Sequence, residues 1–146
     1  MSAPGAQRVA IVGGGAAGAA AAAHLLREPR EQARLEIELI DRGGSFGPGI
    51  AYATEDPLHL LNVPAVRMGA VAGHPEHFHE WLLAHDHEVP EEAFMPRGLY
   101  GTYLCDLLAS AEAANPEVAV RRRSGEVVAV AERASANGSG GGLVLT

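Results

Sequence analysis

A glycine-rich pattern near the start of the chain is the strongest candidate for binding chemistry. It has the form G-x-G-x-x-G and consists of Gly13, Gly14, Gly15, Ala16, Ala17 and Gly18. Gly13 would allow a tight turn, Gly15 would let a pyrophosphate approach the backbone, and Gly18 would let a helix pack closely against a strand. The free N–H groups and the dipole at the start of that helix favour negative charge. The pattern therefore predicts a dinucleotide site.

An aspartate supports the same interpretation. Asp41 lies about 20 residues beyond the glycines, the spacing expected for the acidic residue of such a site. A carboxylate there accepts hydrogen bonds from the ribose hydroxyls of an adenine nucleotide and repels a 2′-phosphate. Arg42, the next residue, has two interpretations: it attracts such a phosphate, or it faces solvent.

The elements around the pattern supply the context that it needs. The apolar run Arg8–Val12 predicts a buried parallel strand, and the Ala/Leu-rich run Ala16–Arg27 predicts a helix. Leu35–Asp41 alternates apolar and acidic residues, which predicts a strand with one wetter face. Strand, helix and strand form a βαβ unit with the glycines at its first turn.

The remainder of the chain predicts short helices and then short strands. The glycine-rich run 42–49 predicts an ordered loop, and helical signals cover Asp56–Leu61, the residues after Pro75, and Tyr100–Ala111. A β-meander is predicted from the runs Val118–Arg122, Val127–Ala131 and Leu143–Leu145, with a hairpin loop at 137–142. We expect a flexible leader at 1–7 and one domain at 8–146. Because the chain stops at the last strand, we expect a fold truncated at its C-terminus.

Composition excludes several other functions. The chain has 146 residues and a net charge of −7, and its 11 basic residues are all arginine. The absence of lysine excludes a Schiff-base or P-loop lysine, and the acidic balance disfavours nucleic-acid binding. The single cysteine, Cys105, excludes a disulfide within the chain and a CxxC pair, and its apolar surroundings predict a buried structural thiol. The uncharged run 9–26 is interrupted by glycines, so we expect a cytoplasmic protein without a membrane partner.

Metal and hydrolase sites lack support. Five histidines lie close together, at His74, His77, His79, His85 and His87. Their spacing contains no HExxH pattern and does not place two histidines on one helix face four residues apart. We therefore predict no metal site and assign them to solvated positions on an amphipathic helix. No serine lies in a GxSxG elbow, and the sequence identifies no catalytic residue.

Four segments together resemble a known family. They are Ile11–Gly18 (IVGGGAAG), Phe46–Thr54 (FGPGIAYAT), His59–Ala65 (HLLNVPA) and Pro96–Leu104 (PRGLYGTYL). The chain resembles the amino-terminal part of FAD/NAD(P)-binding oxidoreductases of the bacterial group that includes urate-hydroxylating and aspartate N-hydroxylating flavoenzymes. The resemblance implies an α/β fold: a Rossmann-like FAD/NAD(P)-binding domain with inserted short helices and a β-meander. It also implies a monooxygenase in which NAD(P)H reduces FAD and the reduced flavin activates oxygen to hydroxylate a small molecule.

The resemblance also implies further site residues. The adenosine and pyrophosphate of FAD would lie on 13–18 and Asp41, and the loops 47–52 and 62–64, with Gly49, Asn62 and Val63, would lie towards the rest of the cofactor. Arg97 would contact phosphate or flavin; the alternative is an arginine in a surface salt bridge at a helix start.

Two features of the family are missing, and other functions stay open. There is no second glycine pattern for NAD(P)H and no Ala-Thr-Gly-like strand end, so we expect no turnover by this chain alone. The glycine pattern itself does not choose between FAD and NAD(P). The alternatives are a non-catalytic or truncated dinucleotide-binding module and an NAD(P)-dependent dehydrogenase domain.

Overall fold

A computed structural model describes residues 7–28, 34–133 and 142–146. The elements follow in the order β1 (Gln7–Val12), α1 (Ala16–Arg27), β2 (Leu35–Asp41), α2 (Gly49–Tyr52), a 3₁₀ turn (Ala65–Arg67), α3 (His77–Ala84), α4 (Arg97–Ala114), β3 (Ala119–Ser124), β4 (Val130–Arg133) and β5 (Gly142–Leu145). The expected leader lies outside the described residues, except for Gln7, which begins β1.

A parallel sheet forms the centre of the fold. In the described residues its strand order is β1-β2-β3, with Val9 beside Ile37 and Ile37 beside Val120. Both α1 and α4 cover one face of this sheet and form a core with it from Leu26, Ile37, Leu39, Leu107 and Leu108. The predicted α/β class is confirmed.

The opposite face of the sheet is more exposed at Glu36 and Glu38, as the alternation in β2 predicts. Leu35, Ile37 and Leu39 are buried, whereas Glu36 and Glu38 point to the other side and are partly exposed. Glu38 pairs there with Arg123 of β3, with Oε1 and Nε 2.6 Å apart. This alternation fixes the register, because a shift of one residue would bury the glutamates.

The predicted β-meander needs one correction. Its first run, Val118–Arg122, forms most of β3, which pairs in parallel with β2. In the described residues only β4 and β5 pair antiparallel, with Val130 opposite Leu145. Strand patterning identifies a strand but not its partner, and that choice follows from α4, which returns the chain to the edge of β2. The predicted loop 137–142 lies outside the described residues up to Gly142, where β5 begins.

The residues between β2 and β3 form an insertion with its own core. Phe78 and Leu82 of α3 pack against Tyr103 and Leu104 of α4, together with Leu61, Ala65, Met95 and Tyr100. The short helical turn predicted over Asp56–Leu61 is present only at its start: a turn covers residues 57–58, where Asp56 Oδ1 accepts the N–H of Leu58 at 2.9 Å, and it does not continue to Leu61. The chain leaves the turn at Leu60, which forms an isolated β-bridge with Pro96, and the N–H of Leu61 donates to Met95 O at 2.8 Å. None of the described helices is both long and apolar enough to cross a bilayer.

Candidate dinucleotide-binding site

The turn between β1 and α1 has the geometry that its outer glycines predict. Gly13 has φ of 101° and donates its N–H to Ile40 O at 2.8 Å, so it turns the chain while joined to β2. This backbone region disfavours residues that carry a side chain. A Cβ on Gly18 would lie 1.9 Å from Gly13 O, which shows how closely α1 packs on the turn.

The third glycine of the turn packs against the insertion. A Cβ on Gly15 would lie 3.3 Å from the Cα of Gly49, and a Cβ on Gly49 would lie 2.9 Å from the Cα of Gly15. Gly49 also has φ of 57°. The lack of side chains at both positions therefore lets α2 begin directly against the glycine turn.

Asp41 joins the glycine turn to the turn that follows β2. Its Oδ2 accepts the N–H of Gly14 at 2.9 Å, and its Oδ1 accepts the N–H of Gly43 at 2.8 Å. These bonds, with Gly14 contributing most, hold the pKa of Asp41 below its ordinary value. The carboxylate is therefore ionised near neutral pH, as ribose recognition requires.

The loop around Phe46 covers the middle glycine, a contact that the glycine pattern did not identify. A Cβ on Gly14 would lie 2.6 Å from the ring of Phe46, and the N–H of Gly47 donates to Gly14 O at 2.8 Å. On its other side the loop rests on α4, where the thiol of Cys105 donates to Phe46 O at 3.6 Å. Cys105 is half-buried instead of buried, and burial raises the pKa of its thiol. Phe46 before a Gly-Pro-Gly run is the signal that could have revealed this packing.

A groove of about 470 Å³ lies beside the glycine turn, lined by β1, the first turns of α1 and residues 48–51. Ala16, Ala17 and Gly18 form part of its wall. The first turn of α1 carries no acidic residue, and no side chain of the described residues caps it. Its N–H groups are therefore open to an anion, which fits a pyrophosphate.

The other predicted site residues lie on two further segments. Arg42 is exposed, with its Nη1 3.7 Å from Glu126 Oε1. Arg97 begins α4 and donates its backbone N–H to His59 O at 2.8 Å and its Nε to Leu60 O at 3.0 Å. Asn62 is exposed and Val63 is half-buried. The cofactor contacts of these four residues remain predictions.

Two glycines near the start of α4 allow it to pack closely against α2 and the residues just after it. A Cβ on Gly98 would lie 2.5 Å from Thr54 O, and a Cβ on Gly101 would lie 2.4 Å from Tyr52 O. Helix α2 is thus held between Gly15 on one side and the start of α4 on the other. The sequence did not identify Gly101 as part of this arrangement.

The histidines do not form a metal site within the described part of the chain. Two of them are also less solvated than expected. His77 is half-buried, and its Nδ1 lies 2.8 Å from the hydroxyl of Tyr103. His79 is half-buried as well, and its Nε2 donates to Val89 O at 3.0 Å. Both correct the prediction of solvated positions, because α3 packs against α4 and the 89–95 segment.

The parallel sheet, the glycine turn and the ionised aspartate together define a dinucleotide-binding α/β protein. The chain belongs to the FAD-NAD(P)-binding family, whose profile matches residues 10–142. No curated protein gives a significant match to the sequence.

Proposed function

We propose that this chain holds the adenosine and pyrophosphate part of FAD in a flavin-dependent oxidoreductase of the monooxygenase type, with NAD(P)H as the reductant. The observation that carries the proposal is the return of the insertion onto the glycine turn. Gly49 contacts Gly15, and Gly47 donates to Gly14 O. The insertion thereby extends the wall of the site beyond the start of α1, which suits a cofactor that continues past its ADP half.

The chain's own residues have distinct roles in this proposal. The open N–H groups at the start of α1 bind the pyrophosphate, and the Asp41 carboxylate accepts the ribose hydroxyls. Residues 48–51 exclude water from one side of the groove. The chemistry that FAD supplies when bound is hydride uptake from NAD(P)H and oxygen activation by the reduced flavin.

Residues 59–63 and the start of α4 would contact the remainder of the cofactor. Arg97 keeps the position of residues 59–60 through two hydrogen bonds, and both bonds go to backbone carbonyls, so its positive charge is not neutralised by them. We propose that Arg97, Asn62 and Val63 face the flavin half. No residue is assigned as catalytic.

A charge placed at Ala17 tests the pyrophosphate site. Ala17 is exposed in the first turn of α1 and lines the groove. We expect Ala17→Glu to weaken FAD binding about tenfold or more, corresponding to about 1.4 kcal/mol, because its carboxylate repels the phosphates. The quenching of flavin fluorescence during titration measures the affinity.

Ala17→Gln is the matched control, since it adds the same bulk without charge, and we expect FAD affinity near that of the original chain. An acidic residue in the first turn favours the helix, so the glutamate variant should not melt earlier. Equal affinity in both variants would place the phosphates elsewhere.

Cofactor uptake by the purified original chain separates our proposal from the two alternatives, a dehydrogenase domain and a non-catalytic binding module. Tight uptake of NAD⁺ or NADP⁺ together with no flavin absorbance after FAD addition and gel filtration would favour a dehydrogenase domain and contradict our proposal. FAD uptake with no oxidation of NAD(P)H would favour a binding module that needs further residues for turnover. Oxidation of NAD(P)H by the FAD-loaded chain would support the oxidoreductase directly.

A further inference from the structure

The segment 68–76, between the 3₁₀ turn and α3, is hydrogen-bonded to α1 and α4 through Ala70 and to α3 through His74, whose Nε2 lies 2.9 Å from Glu80 Oε1. Ala70 donates its N–H to the Tyr103 hydroxyl of α4 at 2.9 Å, and its carbonyl accepts from His24 Nε2 of α1 at 2.9 Å. The segment also closes on itself, because Gly69 N–H donates to Pro75 O at 2.7 Å. Two side chains thus hold a turn that lies outside regular secondary structure.

The Tyr103 hydroxyl can donate one hydrogen bond, so its proton needs an acceptor. Its oxygen accepts the N–H of Ala70, and His77 Nδ1 lies 2.8 Å away. In the described residues these are its hydrogen bonds, so the hydroxyl donates to His77 when Nδ1 carries a lone pair. Tyr103 is fully buried. Its proton therefore needs this acceptor, since an unpaired buried hydroxyl is costly.

Protonation of His77 removes that acceptor. An Nδ1–H would point at the Tyr103 oxygen, and the tyrosine proton would have no acceptor among the described residues. His24 differs in this respect, because its Nε2–H donates to a carbonyl in either protonation state. The sensitive member of the network is therefore His77.

Charges from three elements surround His77. His74 precedes it with ring centroids 5.3 Å apart, Arg27 lies on α1, and Glu80 lies one turn further along α3. Burial, followed by His74 and Arg27, lowers the pKa of His77 from 6.5, and Glu80 opposes this effect. Tyr103 contacts the ring from α4 at a centroid distance of 5.6 Å.

We propose that His77 and Tyr103 form a pH-sensitive latch that releases the segment 68–76 from α4 when His77 takes up a proton. The closed latch holds His77 neutral, and the open latch lets it charge. Acid therefore favours opening by linkage. The bond from His24 keeps the segment tethered to α1, so the opening is local.

Hydrogen exchange of the Ala70 amide, followed by NMR, measures the opening. We expect its protection factor, corrected for intrinsic exchange, to fall as the pH decreases below 6.5, the ordinary value for His77. The fall should be at most about tenfold per pH unit and should level off below the native pKa of His77. The amide of Leu39, in the centre of the sheet, reports global unfolding, and its protection should stay above that of Ala70 at every pH if the opening is local.

His77→Asn is the matched variant, because the asparagine oxygen can accept from Tyr103 without titrating. We expect Ala70 to stay protected at all pH values in this variant. Three results would each overturn the proposal: protection of Ala70 independent of pH in the original chain, protection of Ala70 equal to that of Leu39 at every pH, or unchanged pH dependence in His77→Asn. The first two need no variant, so the test does not depend on the folding of His77→Asn.

Discussion

The carboxylate of Asp41 holds two turns together, because one oxygen accepts from Gly14 and the other from Gly43. The residue expected to recognise ribose is thus also a structural part of the site. An ionised carboxylate makes stronger hydrogen bonds than a neutral group. The shape of the glycine turn should therefore depend on the ionisation of this one residue.

Asp41→Asn tests this dependence through pH. The native pKa of Asp41 lies below its ordinary value of 3.8. Its contribution to the free energy of unfolding is therefore complete above pH 3.8 and is lost as the pH falls through the lower native pKa. We expect the variant to be less stable at neutral pH and the difference to shrink in acid. Urea titrations at a series of pH values measure it.

Glu126→Gln serves as the control for a lost carboxylate. Glu126 is exposed and pairs only loosely with Arg42, so its removal should leave the stability profile unchanged. A constant difference between Asp41→Asn and the original chain at every pH would show that the charge of Asp41 does not stabilise the turn.

At the level of elements, α2 is the short piece that joins the insertion to the glycine turn. It contacts Gly15 through Gly49 and contacts α4 through the close approach of Tyr52 O to Gly101. Both contacts exist because glycine occupies the position. A helix of four residues has little stability of its own, so its placement depends on these neighbours.

Gly101→Ala should displace α2. The added Cβ would lie 2.4 Å from Tyr52 O, so backbone must move. The gain in helix propensity is at most about 1 kcal/mol, and we expect the overlap to outweigh it and give a net loss of about 2 kcal/mol. Binding of FAD should weaken as well, because α2 forms a wall of the groove. Thermal unfolding and flavin titration measure the two effects.

Ser110→Ala, on the exposed side of the same helix, is the matched control and should be neutral or slightly stabilising. If Gly101→Ala behaves like Ser110→Ala in both measurements, the contact between α2 and α4 does not position the site.

For the whole molecule, α4 is the element shared by two cores. Leu107 and Leu108 belong to the core beneath the parallel sheet, and Tyr103 and Leu104 belong to the core of the insertion. One helix of 18 residues, which begins at Arg97, therefore packs both in the core beneath the strand that carries Asp41 and in the core of the insertion. We expect the two parts to unfold together.

Leu104→Ala tests this coupling. The side chain is 1% exposed, and its truncation should reduce the free energy of unfolding by about 3 kcal/mol. Far-ultraviolet circular dichroism follows the whole fold, and the fluorescence of Trp81, the sole tryptophan, follows the insertion. Both signals should shift to the same lower urea midpoint.

Leu83→Ala, at a half-exposed position on α3, is the control and should change the free energy of unfolding by only about 0.5 kcal/mol. Separate midpoints for the two signals would show that the cores are independent.

The local sequence was sufficient for the order of the βαβ unit but not for the burial of β1, which was predicted to be buried and is half-buried or exposed along its length. The helix Ala16–Arg27 and the strand Leu35–Asp41 have the bounds that their patterns predict, since periodicity and a glycine turn are local signals. The family match covers residues 10–142, a range that includes this unit except for the start of β1. The sequence could not show which partner β3 would choose. That outcome depends on long-range packing against β2.

The sequence by itself determined the class of this protein, because the tight turn, the helix start and the acidic strand end are all local signals within one βαβ unit. The tertiary structure decided what surrounds that turn. Phe46 covers Gly14, and Gly49 contacts Gly15. Asp41 accepts hydrogen bonds from backbone amides, and these bonds keep its carboxylate ionised. These contacts join positions far apart in the chain, and such contacts depend on how the cores pack rather than on any local pattern.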